Sequence, residues 1–160
     1  MKICFPDEYI KRRGEDEDPF VLHSGEKSRI MYDVNAMLTN HFWMRRIISF
    51  MITGGVKHYV GIPTGGTVIA AVTAEVTTNR FDIMYSLVKD GELKGEIPIG
   101  DYLLIDDVVT TEGSLNEALD VLDESGVRDL AKIYVVVDRR QRDERKLNLT
   151  SMFDVGDQDG

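Results

Sequence analysis

The chain has one cysteine, Cys4, among its 160 residues. A single thiol excludes an internal disulfide framework and a Cys-rich zinc site. It fits a reducing compartment, so a cytoplasmic location is expected. No apolar run approaches the ~20 residues that a membrane-spanning helix needs, so no membrane partner is expected. The segment Met1 to Ile10 mixes apolar and charged residues and does not read as a signal peptide. Basic charge is also short. The 19 Lys and Arg against 28 Asp and Glu leave a net charge of −9. That balance excludes general binding of nucleic acid through a basic surface. An anionic substrate would need a local basic pocket working against the overall field. No repeat or low-complexity tract is present, and no linker divides the chain. One domain, 1–160, is expected, and the 42% apolar content is enough for its core.

The most informative stretch is Tyr102 to Ser114. It passes from an apolar run, Tyr102-Leu103-Leu104-Ile105, through Asp106-Asp107 to a hydroxyl-rich loop. A helix follows, with Leu115, Ala118, Leu119 and Leu122 on one face, and Gly126 stops it. A strand therefore delivers two acids and a small loop to a helix N-terminus. The unpaired N–H groups and the positive end of the helix dipole suit an anion there. Carboxylates beside an anion cradle make sense for a ligand carrying both a phosphate and hydroxyls, such as ribose 5-phosphate.

Ile105-Asp106-Asp107-Val108-Val109-Thr110-Thr111, followed after one residue by Gly113-Ser114, resembles the motif of type I phosphoribosyltransferases. Those enzymes bind 5-phosphoribosyl 1-diphosphate (PRPP). The resemblance implies that Asp106 and Asp107 hold the ribose 2- and 3-hydroxyls. It implies that Thr110, Thr111, Gly113 and Ser114 hold the 5-phosphate. The family usually has glycine where this chain has Glu112. Either that side chain points away or phosphate binding is weakened.

Other segments extend the resemblance toward the orotate branch. Ser24-Gly25, then Lys27-Ser28 and an extended run, is similar to that branch's N-terminal hood. This implies a base site with Lys27, Ile30 and Met31, although the family usually has proline and aromatics after the serine. Gly61-Ile62-Pro63-Thr64-Gly65-Gly66 resembles the pyrophosphate loop, which implies diphosphate binding by Pro63, Thr64, Gly65 and Gly66. Glycines let the backbone approach a diphosphate closely. Asp138-Arg139 matches the pair whose arginine meets the orotate carboxylate, and an arginine fork suits a planar carboxylate. Lys89 matches a catalytic cation of the polar stretch 89–96. The branch's Arg-Lys pair falls instead on Tyr85 and Ser86, the loop is shorter, and its histidine is missing.

Strands are expected over 57–62, 81–88, 102–106 and 130–138, with helices over 35–53, 66–79 and 114–125. This alternation predicts an α/β fold with a parallel sheet and right-handed crossovers. Combined with the resemblance, it implies a type I phosphoribosyltransferase-like sheet flanked by helices, with a small hood from 20–34 and 149–154. Residues 1–19 read as a solvated, mobile polar segment, 89–96 as a loop and Gly156 to Gly160 as frayed. The implied reaction is that of an orotate phosphoribosyltransferase. The open alternatives are another base, or a PRPP- or nucleotide-binding regulatory relative with little turnover. Mg2+ would be carried mainly by PRPP, with no dedicated protein metal site. A homodimer is expected from the family.

Overall fold

The computed structural model describes residues 4–52, 56–77 and 84–156. In chain order its elements are β1 (Ile10–Arg12), β2 (Phe20–Val21), β3 (Lys27–Ser28), β4 (Ile30–Tyr32), α1 (Val34–Leu38), α2 (His41–Met51), β5 (His58–Gly61), α3 (Gly65–Thr77), β6 (Met84–Lys89), β7 (Glu92–Gly95), β8 (Tyr102–Val109), α4 (Gly113–Glu124), β9 (Leu130–Asp138) and β10 (Thr150–Asp154). Six strands form one sheet in the order β10-β9-β8-β5-β6-β7. Every neighbouring pair is parallel except β6 with β7.

The sheet is buried on both faces, as the continuous apolar runs of β8 and β9 require. Successive residues point to opposite faces. Tyr59, Leu103 and Ile105 meet α1, α2 and α3 in one core. Val60, Leu104 and Val135 meet Leu115, Ala118 and Leu122 of α4 in the other. Two parallel strands, β5 and β8, thus lie side by side at the centre. Each runs at its carboxyl end into a loop that starts a helix.

Several local expectations need correction. The helix expected over 35–53 is two helices. Asp33 accepts the N–H of Ala36 and caps α1. Asn40 accepts the N–H groups of Phe42 and Trp43 and caps α2. A side-chain acceptor at each start satisfies amides that have no intrahelical partner. Residues 89–96 form a hairpin instead of a loop, since Asp90 and Gly91 both have positive φ and turn β6 tightly into β7. β8 continues to Val109, so both acids lie within a strand. Residues 53–55, 78–83 and 157–160, which include Gly54-Gly55 and the start of the third expected strand, lie outside the described residues.

The N-terminal segment is built into the hood. β1 pairs antiparallel with β4. The Arg29 guanidinium donates to the carbonyls of Gly14, Glu15 and Glu17. Phe5 packs edge-on against Tyr32 and Phe153, with both ring pairs 5.1 Å apart. β10, expected as a hood strand, instead extends the main sheet beside β9. Gly156 is not frayed. A Cβ there would collide with the Arg140 carbonyl.

Ser86, one of the two residues at the Arg-Lys position, faces inward. It is 1% exposed, and its Oγ lies 2.9 Å from Nε2 of His58, itself 4% exposed. Burial lowers the His58 pKa from 6.5 to about 4. The folded state then holds His58 neutral where the unfolded chain would protonate. The associated stability is complete above pH ~6.5 and is lost as pH falls toward 4, up to about 3 kcal/mol. Urea unfolding at pH 7 and pH 5 should show this loss in the wild type and a smaller loss in His58→Phe.

Candidate active site

The carboxyl ends of β5 and β8 open into a cavity of about 250 Å3. Asp106, Asp107, Thr110, Thr111 and Ser114 line it from β8 and the loop into α4. Ile62, Pro63 and Thr64 line it from the loop into α3, and Arg139 from the end of β9. Leu22, His23, Ser24, Met31, Tyr32 and Asn35 close it from the hood side.

Asp106 is 5% exposed, and its Oδ1 accepts the Asp107 N–H at 2.8 Å. Burial raises its carboxyl well above the usual range, and the neighbouring Asp107 adds to the shift. Asp107 is only half-buried. The pair is therefore asymmetric, with a shielded acid that resists ionisation beneath one that meets the cavity.

The two loops are locked together by glycine. A Cβ on Gly65 would come 2.6 Å from the Asp107 Cβ. One on Gly66 would strike the Ile105 carbonyl and lie 3.0 Å from Asp106 Cα. One on Gly61 would lie 2.6 Å from the Gly66 carbonyl oxygen. Only glycine lets the start of α3 lie against the acid-bearing strand. The Pro63–Thr64 peptide is cis. The glycine packing brings the helix N-terminus at Gly65 beside the strand that leads to the one at Gly113, each with unpaired amides.

Arg139 is held from above. Its guanidinium donates to Ser28 Oγ at 3.1 Å and to the Ile30 carbonyl at 3.3 Å, and lies over the Tyr32 ring at 5.2 Å. These contacts tie the hood to the sheet and fix the plane of the guanidinium at the cavity wall.

Of the residues expected from sequence, Asp106, Asp107, Pro63, Thr64, Thr110, Thr111, Ser114, Met31 and Arg139 come together around this cavity. Lys89 lines an adjoining pocket of about 330 Å3 that shares His23, Ile62, Pro63, Thr64 and Ser114. Gly113 lines a different neighbouring pocket, with Glu112, Arg140 and Lys146. Gly65 and Gly66 act through backbone packing. Lys27 is exposed on β3, and neither it nor Ile30 is among the residues lining the cavity. Lys94 pairs with Glu92 on the same strand, β7.

Among the lining residues that escaped the sequence reading are His23, Tyr32 and Asn35. His23 borders both the acid-bearing cavity and the Lys89 pocket. Its signal was the tight turn after it. Gly25 has φ +84°, and the Leu22 N–H reaches the Glu26 carbonyl. Asn35 follows the α1 cap, Asp33, and carried no signal of its own.

Acids, hydroxyls and an arginine line one cavity beside two helix starts, an arrangement that suits a phosphorylated sugar. That is the class of the type I phosphoribosyltransferases. No family model matches the chain. The orotate phosphoribosyltransferase of Thermococcus kodakarensis is 30% identical over 145 residues, covering 84% of this chain and 78% of that one. That of Pyrococcus abyssi is 33% identical over 134 residues, covering 76% and 72%. The crystal structure of orotate phosphoribosyltransferase from Aeropyrum pernix superposes with a TM-score of 0.71 at 22% identity, covering 92% of this chain and 89% of that one. The chain belongs to the orotate phosphoribosyltransferase family of PRPP-dependent enzymes.

Proposed function

We propose that this chain transfers the 5-phosphoribosyl group of PRPP to orotate, giving orotidine 5′-phosphate and pyrophosphate. The observation that carries the reading is the convergence on one cavity of the Asp106–Asp107 pair, two helix-starting loops and Arg139. The relatives named above support orotate as the base.

Asp107, half-exposed, takes the ribose hydroxyls, and Asp106 beneath it fixes the strand end. Breaking the C1–diphosphate bond leaves positive charge on the ribose ring, which an acidic floor favours. Thr110, Thr111 and Ser114, with the first amides of α4, hold the 5-phosphate. Thr64 and the first amides of α3 hold the diphosphate, with Lys89 and His23 at that end of the site. Arg139 receives the orotate carboxylate. The chain supplies no nucleophile; it aligns two substrates and shields them from water. The carboxylates of Asp106 and Asp107 and the threonine hydroxyls supply oxygen donors, which suit a hard cation bound mostly by the diphosphate. Mg2+ would thus be held mainly by PRPP itself, and it would neutralise the leaving group.

The test is pyrophosphate release from PRPP and Mg2+ with a panel of bases. Orotate-dependent release is expected. Release with a different base and none with orotate would refute the assignment of the base. A second reading, PRPP binding with little turnover, is favoured by two observations. Ser86 is buried against His58, and Lys94 is paired with Glu92. Calorimetric PRPP binding without release on any base would select it.

A further inference from the structure

Glu112 sits immediately before α4, where a carboxylate would repel a phosphate unless its charge were taken up. Its Oε1 accepts the N–H groups of Lys146 and Leu147, each at 2.8 Å, and pairs with Nη1 of Arg140. Arg140 is 3% exposed. It also binds Asp138, 2% exposed, through Nε to Oδ1 at 3.0 Å and Nη2 to Oδ2 at 2.9 Å. Its Nη1 donates further to the Leu147 carbonyl at 3.0 Å. A buried guanidinium is thus matched by two carboxylates, the condition under which such a group is tolerated. Burial alone would raise the Glu112 carboxyl, yet the Leu147 and Lys146 amides and Arg140 lower it below its ordinary value. Glu112 does not line the cavity that holds Asp106 and Asp107. It lines the pocket next to it.

The three groups joined by Glu112 belong to different parts of the site. The start of α4 follows Thr110 and Thr111. Arg140 follows Arg139, whose guanidinium closes the cavity. Lys146 and Leu147 lead into β10. Glu112, at the start of α4, bonds through its side chain to Arg140 and to the 146–147 backbone at once. Arg140 stands beside the Asp138-Arg139 pair as its charge partner, so the two residues answer one another.

We infer that Glu112 is a positioning residue, which through Arg140 and the 146–147 backbone holds the phosphate-binding loop in fixed register with the strand end that carries Arg139. This rests on the reading of the cavity as a PRPP site. Two effects of Glu112 have opposite signs, and that makes the inference testable. As a bare charge, Glu112 would weaken phosphate binding, and removing it would tighten PRPP. As an anchor, it would strengthen binding, and removing it would loosen PRPP.

The experiment compares wild type, Glu112→Gly and Glu112→Gln by three readouts: amide hydrogen exchange, calorimetry with PRPP and Mg2+, and steady-state pyrophosphate release. In Glu112→Gly, exchange at the Lys146 and Leu147 amides should accelerate about tenfold and KM for PRPP should rise about tenfold, the scale of losing shared acceptor bonds. The change in kcat should be smaller than the change in KM. Glu112→Gln keeps an acceptor oxygen for both amides and should recover most of each loss. PRPP binding in Glu112→Gly as tight as wild type, or tighter, overturns the anchor. So does a failure of Glu112→Gln to recover binding. If Glu112→Gly does not fold, Glu112→Ala takes its place with the same expectations. If wild type binds no PRPP, the PRPP reading fails on its own. Amide exchange then decides the anchor alone, and unchanged exchange in Glu112→Gly overturns it.

Discussion

Asp107→Asn should lower PRPP affinity and turnover together, with kcat/KM falling roughly 100-fold to 1000-fold, the usual scale for losing one aligned electrostatic contact. The substitution keeps the shape that packs against Gly65 and removes only the charge. Folding should not suffer. The Asp107 charge is one of the causes that raise Asp106, so neutralising it relieves a like-charge repulsion in the folded state. A carboxyl whose folded pKa lies above its unfolded value is destabilising once pH rises past the unfolded value, and the variant reduces that penalty. Thermal unfolding at pH 7 should therefore match or exceed wild type, while pyrophosphate release collapses. Unchanged kinetics would remove Asp107 from the reaction, and a large drop in Tm would mean that the residue serves the fold first.

Gly66→Ala should disrupt the junction between the two loops. Its Cβ would meet backbone on two sides, the Ile105 carbonyl and Asp106 Cα. Neither can rotate away as a side chain could. Relief requires α3 to shift from β8, which breaks the registry between the diphosphate loop and the acids. Overpacking of this kind costs about 1–3 kcal/mol. Activity should fall further than stability does, because the displaced groups are those proposed to bind substrate. Gly113→Ala is the control for folding. Its Cβ would meet only Thr111 Oγ1, at an ordinary 3.6 Å. Urea unfolding should separate the two, with Gly66→Ala clearly destabilised and Gly113→Ala close to wild type. Equal stability for both would mean that the loops are not interlocked as described.

The site was most legible where chemistry is concentrated in consecutive residues. Asp106-Asp107 with Thr110, Thr111 and Ser114 occupies one short stretch, and its strand–loop–helix setting follows from local periodicity. The place of the 61–66 loop beside the acids was legible for the same reason. Lys27 and Ile30 were harder, because the hood is made of two- and three-residue strands with little periodicity to fix which way a side chain faces. His23 sits two residues before the Gly25 turn, and a histidine in a loop carries no pattern of its own. The Asp90-Gly91 turn was a readable hairpin signal that the polar composition of 89–96 masked.

Local sequence by itself determined the alternation of strands and helices, the burial of β8 and β9 on both faces, and the loop that presents paired acids at a helix start. Each depends on residues close together in the chain, where spacing and turn chemistry act without long-range help. Tertiary structure alone decided the rest. It drew the acidic N-terminal segment into the hood through Arg29 and moved β10 from the hood to the edge of the main sheet. It also gave Glu112 its partners, 28 and 34–35 residues away. Those outcomes depend on which distant carbonyl, amide or guanidinium lies within 3 Å, a matter of packing that no local pattern encodes.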